Sequence, residues 1–492
     1  MAASPATQME PQNPAKSSTA METLQAFLEE RRRSKEPVPN FEEFESKLHA
    51  LMSAAECDAL GEELERFDVD VPVVGIEGVA HRQVVRCEET YFAPAGPVRV
   101  MRSLYATRTE AGETALCPME LRAGVVDGKW TPRAAKQAVW FVAQMTPGTV
   151  EDLYTQLGGL TPSKSALDRL PKRVSAQWEA DRERFEAALR RQEHVPPEAT
   201  SLGVSLDGVL VPTKEGERKE KDKQRAEEGA EKTGGPAGYE EVGCGTLTFY
   251  DTDGELLSTV RMARMPEPKK ATLKASLTAE VADVLTQRPD IQVIRLADGA
   301  KDNWTYLDAL PVLITAMASV PRVEGPSIVD FWHAAQHLSD ALDAAYGKQS
   351  TRSRAQFEKL RHVLRHDLDG VQKVIRALAF QRDEHPHSKV IRKELKYFRT
   401  HRHRMNYAQV AAQALPIGTG SMEAACKTLA TQRMKCSGMT GWTDEGGQAI
   451  LTFRSLIQSD RFDAAWDLLA SSYKRDIAIP DNVIPLRPRV HH

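Results

Sequence analysis

Between residues 200 and 333, short apolar runs rich in β-branched residues alternate with amphipathic segments in the order β-β-β-α-β-α-β-α. TSLGVSLDGVLVPT, EEVGCGTLTFYDTDG and ELLSTVRMARM read as three strands, with a hairpin turn at residues 251–254. A helix over residues 271–287, the strand IQVIRLADGA, a helix over residues 304–317, the strand PSIVDFW and a helix from His333 follow. Three strands in a meander, then two strands reached across helices, predict an α/β fold with a mixed sheet covered on both faces. The interval 214–238 is charged, nearly free of large apolar residues and ends in Gly-Pro-Ala-Gly, which predicts a solvated loop inserted in the first hairpin.

Three carboxylates stand where folding does not call for them. Asp207 interrupts the first strand in VSLDGV, Asp298 directly follows the apolar run IQVIRLA, and Glu423 lies in the first turn of the helix opened by GTGSMEAACK. Singly, a strand-end Asp before Gly is a turn former and an early-helix Glu complements the helix dipole. Together they match the layout of an RNase H-like two-metal nuclease. Two unit charges about 4 Å apart repel by roughly 4 kcal/mol at an effective dielectric of 20, so converging acids call for a bound divalent cation. Oxygen ligands suit hard ions such as magnesium or manganese.

These residues resemble the DDE transposases of bacterial insertion sequences. The similarity rests on Leu206-Asp207-Gly208-Val209, on Ala297-Asp298-Gly299-Ala300 with Trp304, on Asp330-Phe331-Trp332-His333, and on LPIGTGSMEAACKTLATQRMKCSGMTGW over residues 415–442. It covers about residues 200–461; the last block is most like the Kra-type group, and the D-x-x-H spacing at Asp330 and His333 is like that of Mutator-like transposases. The resemblance implies an RNase H-like core in which Asp207, Asp298 and Glu423 hold two Mg²⁺ or Mn²⁺ ions. One ion activates water for in-line cleavage of a phosphodiester and the other stabilises the leaving 3′ oxygen, after which the 3′-OH attacks target DNA. Asp330 and His333 join the catalytic set, either orienting a leaving group or metal-bound water or forming a structural pair. The implied partners are double-stranded DNA, both element ends and target, and a homodimer or higher assembly on DNA. The alternatives are a transposase-derived DNA-binding protein that no longer cuts, and a structure-specific nuclease without strand transfer.

The 65 Lys+Arg and 69 Asp+Glu give a net charge of −4, which by itself argues against a nucleic-acid binder. The balance is local, however: about 19 basic and 7 acidic residues fall between Ala345 and Gly441. Residues 346–415 read as basic and helical, which the resemblance makes an insertion within the core (200–345 and 416–475), and the excess suits phosphates and therefore salt-dependent binding. Arg402 and Arg404 lie in it, and Lys427, Arg433 and Lys435 follow Glu423, with Arg433 and Lys435 expected to reach out from the helix end. Lys427 also suits a simple pair with Glu423. The histidines His362, His366, His401 and His403 read as surface residues, and Trp304 and Trp442 as core residues or base-stacking platforms.

Ahead of the core, residues 1–20 read as a disordered lead, 21–68 as helical with a break at Pro37 to Pro39, and 69–130 as a small sheet. Residues 131–199 read as helical; TVEDLYTQLGGLTPSKSALDRL has the grammar of a helix-turn-helix with Ser163, Lys164 and Ala166 on the recognition helix, or of a plain αα-hairpin. Residues 476–492 read as a mobile tail. Six cysteines without a C-x-x-C pair suggest neither zinc ribbon nor disulfide framework. With no apolar run of about 18 residues, the expected location is cytoplasmic, at the nucleoid.

Overall fold

The computed structural model describes residues 19–107, 115–214, 227, 238–318, 323–439 and 441–480. Most of the expected disordered lead, nearly all of the charged loop and the end of the tail therefore lie outside the described residues. The chain divides into two compact units, one drawn from residues 1–138, 147–167 and 470–492, the other from 139–146 and 168–469. Among the described residues no helix is long and apolar enough to cross a membrane.

In the first unit, α1 (Ala20–Arg33) opens with a capping box between Thr19 and Glu22, and α2 (Phe41–Arg66) is capped by the Asn40 side chain. The Pro37 to Pro39 break falls between them. The small sheet is an antiparallel array of β1 (Val73–Ile76), β2 (Val79–Ala93) and β3 (Gly96–Ala106). The expected tail departs from its description at one place: the two-residue strand Ile477–Ala478 pairs with β1 and extends this sheet. The helices α3 (Pro118–Ala123) and α5 (Pro147–Leu157) also belong to this unit; α4 (Pro132–Gln144) and α6 (Lys164–Ala180) are each divided between the two, and α7 (Arg182–Gln192) belongs to the second.

The second unit is built on a five-stranded mixed sheet. β4 (Ser201–Thr213), β5 (Gly238–Tyr250) and β6 (Leu256–Arg264) form the antiparallel meander, while β7 (Gln292–Ala297) and β8 (Ser327–Val329) run parallel to β4, in the order β6-β5-β4-β7-β8. α8 (Ala271–Gln287) links β6 to β7, and α9 (Lys301–Met317) links β7 to β8. Leu202, Val204 and Leu206 of β4 and Val293, Ile294 and Leu296 of β7 are fully buried among Leu277 and Val281 of α8 and Leu307, Leu310 and Ile314 of α9. Central strands covered on both faces lose the alternation of apolar and polar residues, which explains the continuous run IQVIRLA.

After β8 come α10 (Phe331–Tyr346), α11 (Thr351–His366), α12 (Gly370–Glu384), α13 (Lys389–His401) and the short α14 (Tyr407–Ala411), as the helical reading of residues 346–415 anticipates. The glutamate helix α15 (Gly420–Ala425) continues into a π-helical turn, Cys426–Thr431, and a last turn, Gln432–Met434. Met422, Ala425, Cys426, Leu429, Ala430 and Met434 pack on Val211 of β4 and Val242 and Cys244 of β5, so a second apolar cluster fixes this helix on the meander. α16 (Asp444–Gln458) and α17 (Phe462–Ser472) complete the chain.

Arg461 ties this unit together beneath the sheet. Its guanidinium grips both Glu280 oxygens at 2.8 Å and also bonds to Glu193, with the Arg461 and Glu280 side chains 9% and 6% exposed. Removing one partner of a buried pair strands the other charge. Arg461→Met is therefore expected to lower stability by about 3–5 kcal/mol in urea unfolding, with Glu280→Met added to it recovering part of the loss.

Candidate metal centre

Three parallel strand ends set three aspartates in a row. β4 pairs with β7 up to Ser205 opposite Leu296; two residues further, the same register brings Asp207 beside Asp298. β7 pairs with β8 up to Ala297 opposite Val329, so one further step brings Asp298 beside Asp330, and the Asp330 N–H donates to the Ala297 carbonyl at 2.9 Å. The carboxyl ends of parallel strands are where open α/β sheets leave room for ligands. Here β4 changes from fully buried at Leu206 to half-buried at Asp207.

Each aspartate has its own surroundings. Asp207 accepts from the Gly208 N–H at 2.8 Å; burial and the negative charge of Asp298 push its carboxyl above the ordinary carboxylate value against that bond. Asp298 caps its own turn, with one oxygen accepting from Ala300 N–H at 2.9 Å and from Asn303 Nδ2 at 3.4 Å. The indole of Trp304, buried in the core, donates to the Asp298 carbonyl at 2.6 Å, so this tryptophan braces the turn. Gly299 is needed beside it, because a Cβ there would stand 2.4 Å from Tyr397 Cε2.

Asp330 is 0% exposed and has no free lone pair. One oxygen accepts from the His333 N–H at 2.7 Å and from His333 Nδ1 at 3.2 Å; the other accepts from Thr419 N–H at 2.5 Å and Thr419 Oγ1 at 2.8 Å. Burial acts to raise its pKa, but the bonds from His333 and Thr419 outweigh it and hold the carboxyl below its ordinary value. Reciprocally, the hydrogen bond to Asp330 lifts His333 above its ordinary value against partial desolvation, with Asp298 and Glu423 adding to the rise. The bonded pair does more than the sequence expects: it clamps the start of α10 and, through Thr419, the start of the glutamate helix. Glu423 N–H donates to the Thr419 carbonyl at 2.9 Å, which places Glu423 one turn beyond the clamp.

Glu423 is exposed, and its carboxylate groups with Asp330 and His333, one ligand atom of each lying within 4.8 Å of the others. Among the described residues this is the one trio of metal-ligating side chains that close, whereas the expected trio of Asp207, Asp298 and Glu423 is more open. The five residues nonetheless share one electrostatic neighbourhood, since Asp298 and His333 act on Asp207, and Asp298 and Glu423 act on His333.

The other residues singled out in the sequence divide by exposure. Lys427 and Lys435 are exposed, as are Arg402 and, in the first unit, Lys164. Ser163 is exposed but Ala166 is buried, and the Lys164 N–H donates to Glu151 at 2.9 Å. Arg433 corrects its reading: it does not reach out from the helix end but is buried, donating to the carbonyls of Val142 at 3.2 Å and Met145 at 2.9 Å. Arg404 is likewise interior, stacked 4.0 Å over the Trp304 ring and paired with Asp308 at 2.6 Å. Both guanidiniums are buried, Arg433 satisfying interior carbonyls and Arg404 reaching from the face of Trp304 to the exposed Asp308. His401 is also buried, unlike the surface histidine expected, and the Trp442 indole donates to the Met434 carbonyl at 3.0 Å.

Sequence reasoning missed Thr419, whose signal was its place immediately before the glutamate helix, and Trp332, whose side chain is 54% exposed between Asp330 and His333. It also missed Lys270, which reaches Glu241 at 2.7 Å and the Asp207 carbonyl at 3.4 Å.

No protein-family model and no curated protein matches the chain.

The clamp makes a direct prediction. In a histidine NMR titration the His333 midpoint is expected above 6.5, and Asp330→Asn is expected to move it down, because the mutation removes the charge that stabilises the imidazolium. Linkage gives the sign for stability: the contribution of the His333 shift is fully present below pH 6.5 and is lost as pH rises through the raised folded value.

Proposed function

We propose that the protein is a DDE-type DNA transposase with an RNase H-like catalytic core, in which Asp207, Asp298 and Glu423 hold divalent metal. The observation that carries this reading is the register that brings Asp207 and Asp298 side by side at the ends of β4 and β7, in a sheet of order β6-β5-β4-β7-β8 whose β4–β5 face also seats the Glu423 helix.

The donor set fits such ions. Among the described residues, Asp207 and Asp298 each have one carboxylate oxygen without a hydrogen bond and the exposed Glu423 carboxylate has none at either oxygen, so all three carboxylates offer a hard oxygen ligand. Asp330 does not fit as a ligand, since both of its oxygens are already doubly bonded to donors. When bound, two Mg²⁺ or Mn²⁺ ions would supply the charge that activates the attacking oxygen and neutralises the leaving 3′ oxygen.

The chain's own residues do the rest. Asp330 fixes the His333 ring through Nδ1, which leaves Nε2 as the nitrogen available to a substrate oxygen. Thr419 holds the first turn of α15 so that Glu423 stays at the rim of the aspartate row. Lys427 lies one turn beyond Glu423 and, with Lys435, is exposed to take DNA phosphates; Arg402 stands at the end of α13, and Lys164 in the first unit. Joining two element ends to a target requires at least two copies of the chain on DNA.

The test is cleavage and joining of labelled DNA from the flanks of the gene in Mg²⁺. The wild type is expected to cut and to join its 3′ ends, and Asp298→Ala to lose roughly 10²–10³-fold or more in rate. Cleavage without joining would indicate a nuclease, and salt-sensitive binding without cleavage a protein that has kept the fold alone. Equal cutting by wild type and Asp298→Ala would refute the site.

A further inference from the structure

The basic excess of the helical insertion is not spread evenly over it. α11 carries five bases against the single acid Glu358, but they lie on opposite sides of the helix, Arg352 and Lys359 on one and Arg354, Arg361 and Arg365 on the other. α12 mixes its bases with Asp383 and Glu384, and three bases of the two helices are paired: Arg361 with Glu358 at 2.7 Å, Lys373 with Asp367 at 2.6 Å and Arg382 with Asp383 at 2.8 Å. α13 differs. Its buried residues are Ile391, Glu394, Leu395, Phe398 and His401, while Lys389, Arg392, Lys393, Lys396 and Arg399 are all exposed. At 100° per residue these five fall within about a third of the helix circumference, and no acid shares their face. The acid of this helix, Glu394, is turned inward against His337 Nδ1 at 2.5 Å and also takes Lys393 at 3.3 Å. The other four bases of the stripe make no ion pair or hydrogen bond among the described residues.

The inner side of α13 is anchored beside the aspartate row. Tyr397, one turn after Lys393, stacks on His337 with ring centroids 3.7 Å apart and lies against Gly299, the residue after Asp298. The stripe therefore borders the turn that carries Asp298. From Lys389 to Arg399 it rises about 15 Å, at 1.5 Å per residue. That length matches about four phosphates of one strand, at 3.4 Å of duplex axis each. A surface ordinarily mixes both signs of charge; five bases in a line on a rigid helix, four of them without an acidic partner among the described residues, are complementary to a regular polyanion.

We infer that the exposed face of α13, through Lys389, Arg392, Lys393, Lys396 and Arg399, is the track on which the phosphate backbone of duplex DNA lies as it approaches the Asp298 turn. The inference rests on the transposase reading for the identity of the polyanion, but not on catalysis. It moves the main phosphate contact of the insertion away from the interior Arg404 to five residues that the sequence did not distinguish from their neighbours.

The experiment measures duplex binding by the full chain in EDTA across 50–200 mM salt. One variant changes all five stripe residues to Gln; a charge-matched control carries Arg354→Gln, Lys359→Gln, Lys373→Gln, Arg376→Gln and Arg382→Gln. Each neutralised phosphate contact contributes about 0.9 to the slope of log affinity against log salt. The stripe variant is expected to lose about 3–4 from that slope, so that raising salt fourfold weakens it about 100-fold less than the wild type, while the control changes by less than 1. Unfolding midpoints within error of the wild type show that both variants fold. Equal losses in the two variants, or an unchanged slope in the stripe variant, overturn the track; tighter binding of RNA than of duplex DNA overturns its occupant. Because this assay contains no metal it does not depend on cleavage: failure of the separate Mg²⁺ cleavage assay with the binding pattern intact counts against the catalytic reading alone.

Discussion

One buried carboxylate holds the candidate centre together. Asp330 lies at the end of β8, caps α10 through His333 and reaches across to Thr419 at the head of α15. Two helices distant in sequence thus start from the two oxygens of one side chain. A fully buried carboxylate is costly unless its hydrogen bonds are filled, and here four donors fill them. The constraint explains why a residue in the acidic row is unsuited to metal, and why Glu423, whose carboxylate makes no hydrogen bond among the described residues, still has a defined place.

The neighbouring aspartates follow from strand register rather than from any bond between them. Parallel pairing of β4 with β7 and of β7 with β8 brings like charges together, which Lys270 and His333 offset only in part, and the burial of Asp207 sharpens the cost. Such crowding is a feature of functional sites, where residues are placed for chemistry at the expense of stability. The basic groups nearby serve different ends. Arg404, Arg433 and Arg454 are spent inside, on Asp308 and on backbone carbonyls, while α13 keeps its bases outside and, among the described residues, all but Lys393 unpaired.

Much of this was legible in the chain. Strand and helix order from residue 200 onward could be read because the central strands are uninterrupted apolar runs and α8 and α9 carry helical spacing. Asp207 and Asp298 stood out because a charge within or directly after such a run has no folding purpose. What was not legible depends on contacts between distant segments. Nothing local marks Arg433 as interior, because its partners, the carbonyls of Val142 and Met145, lie nearly 300 residues away in sequence. Nor does local pattern show that Asp330 would bond Thr419, or that a π turn would interrupt residues 421–434. The small β-strand at Ile477–Ala478 escaped for the same reason, since two residues become a strand only where β1 supplies an edge.

The most direct measurement is anomalous diffraction from crystals of the full chain grown with Mn²⁺. Density for manganese bonded to the free oxygens of Asp207, Asp298 and Glu423, with Asp330 still bound to His333 and Thr419, is the predicted result. Manganese held instead by Asp330 with His333, or no manganese at the strand ends at millimolar concentration, would contradict it.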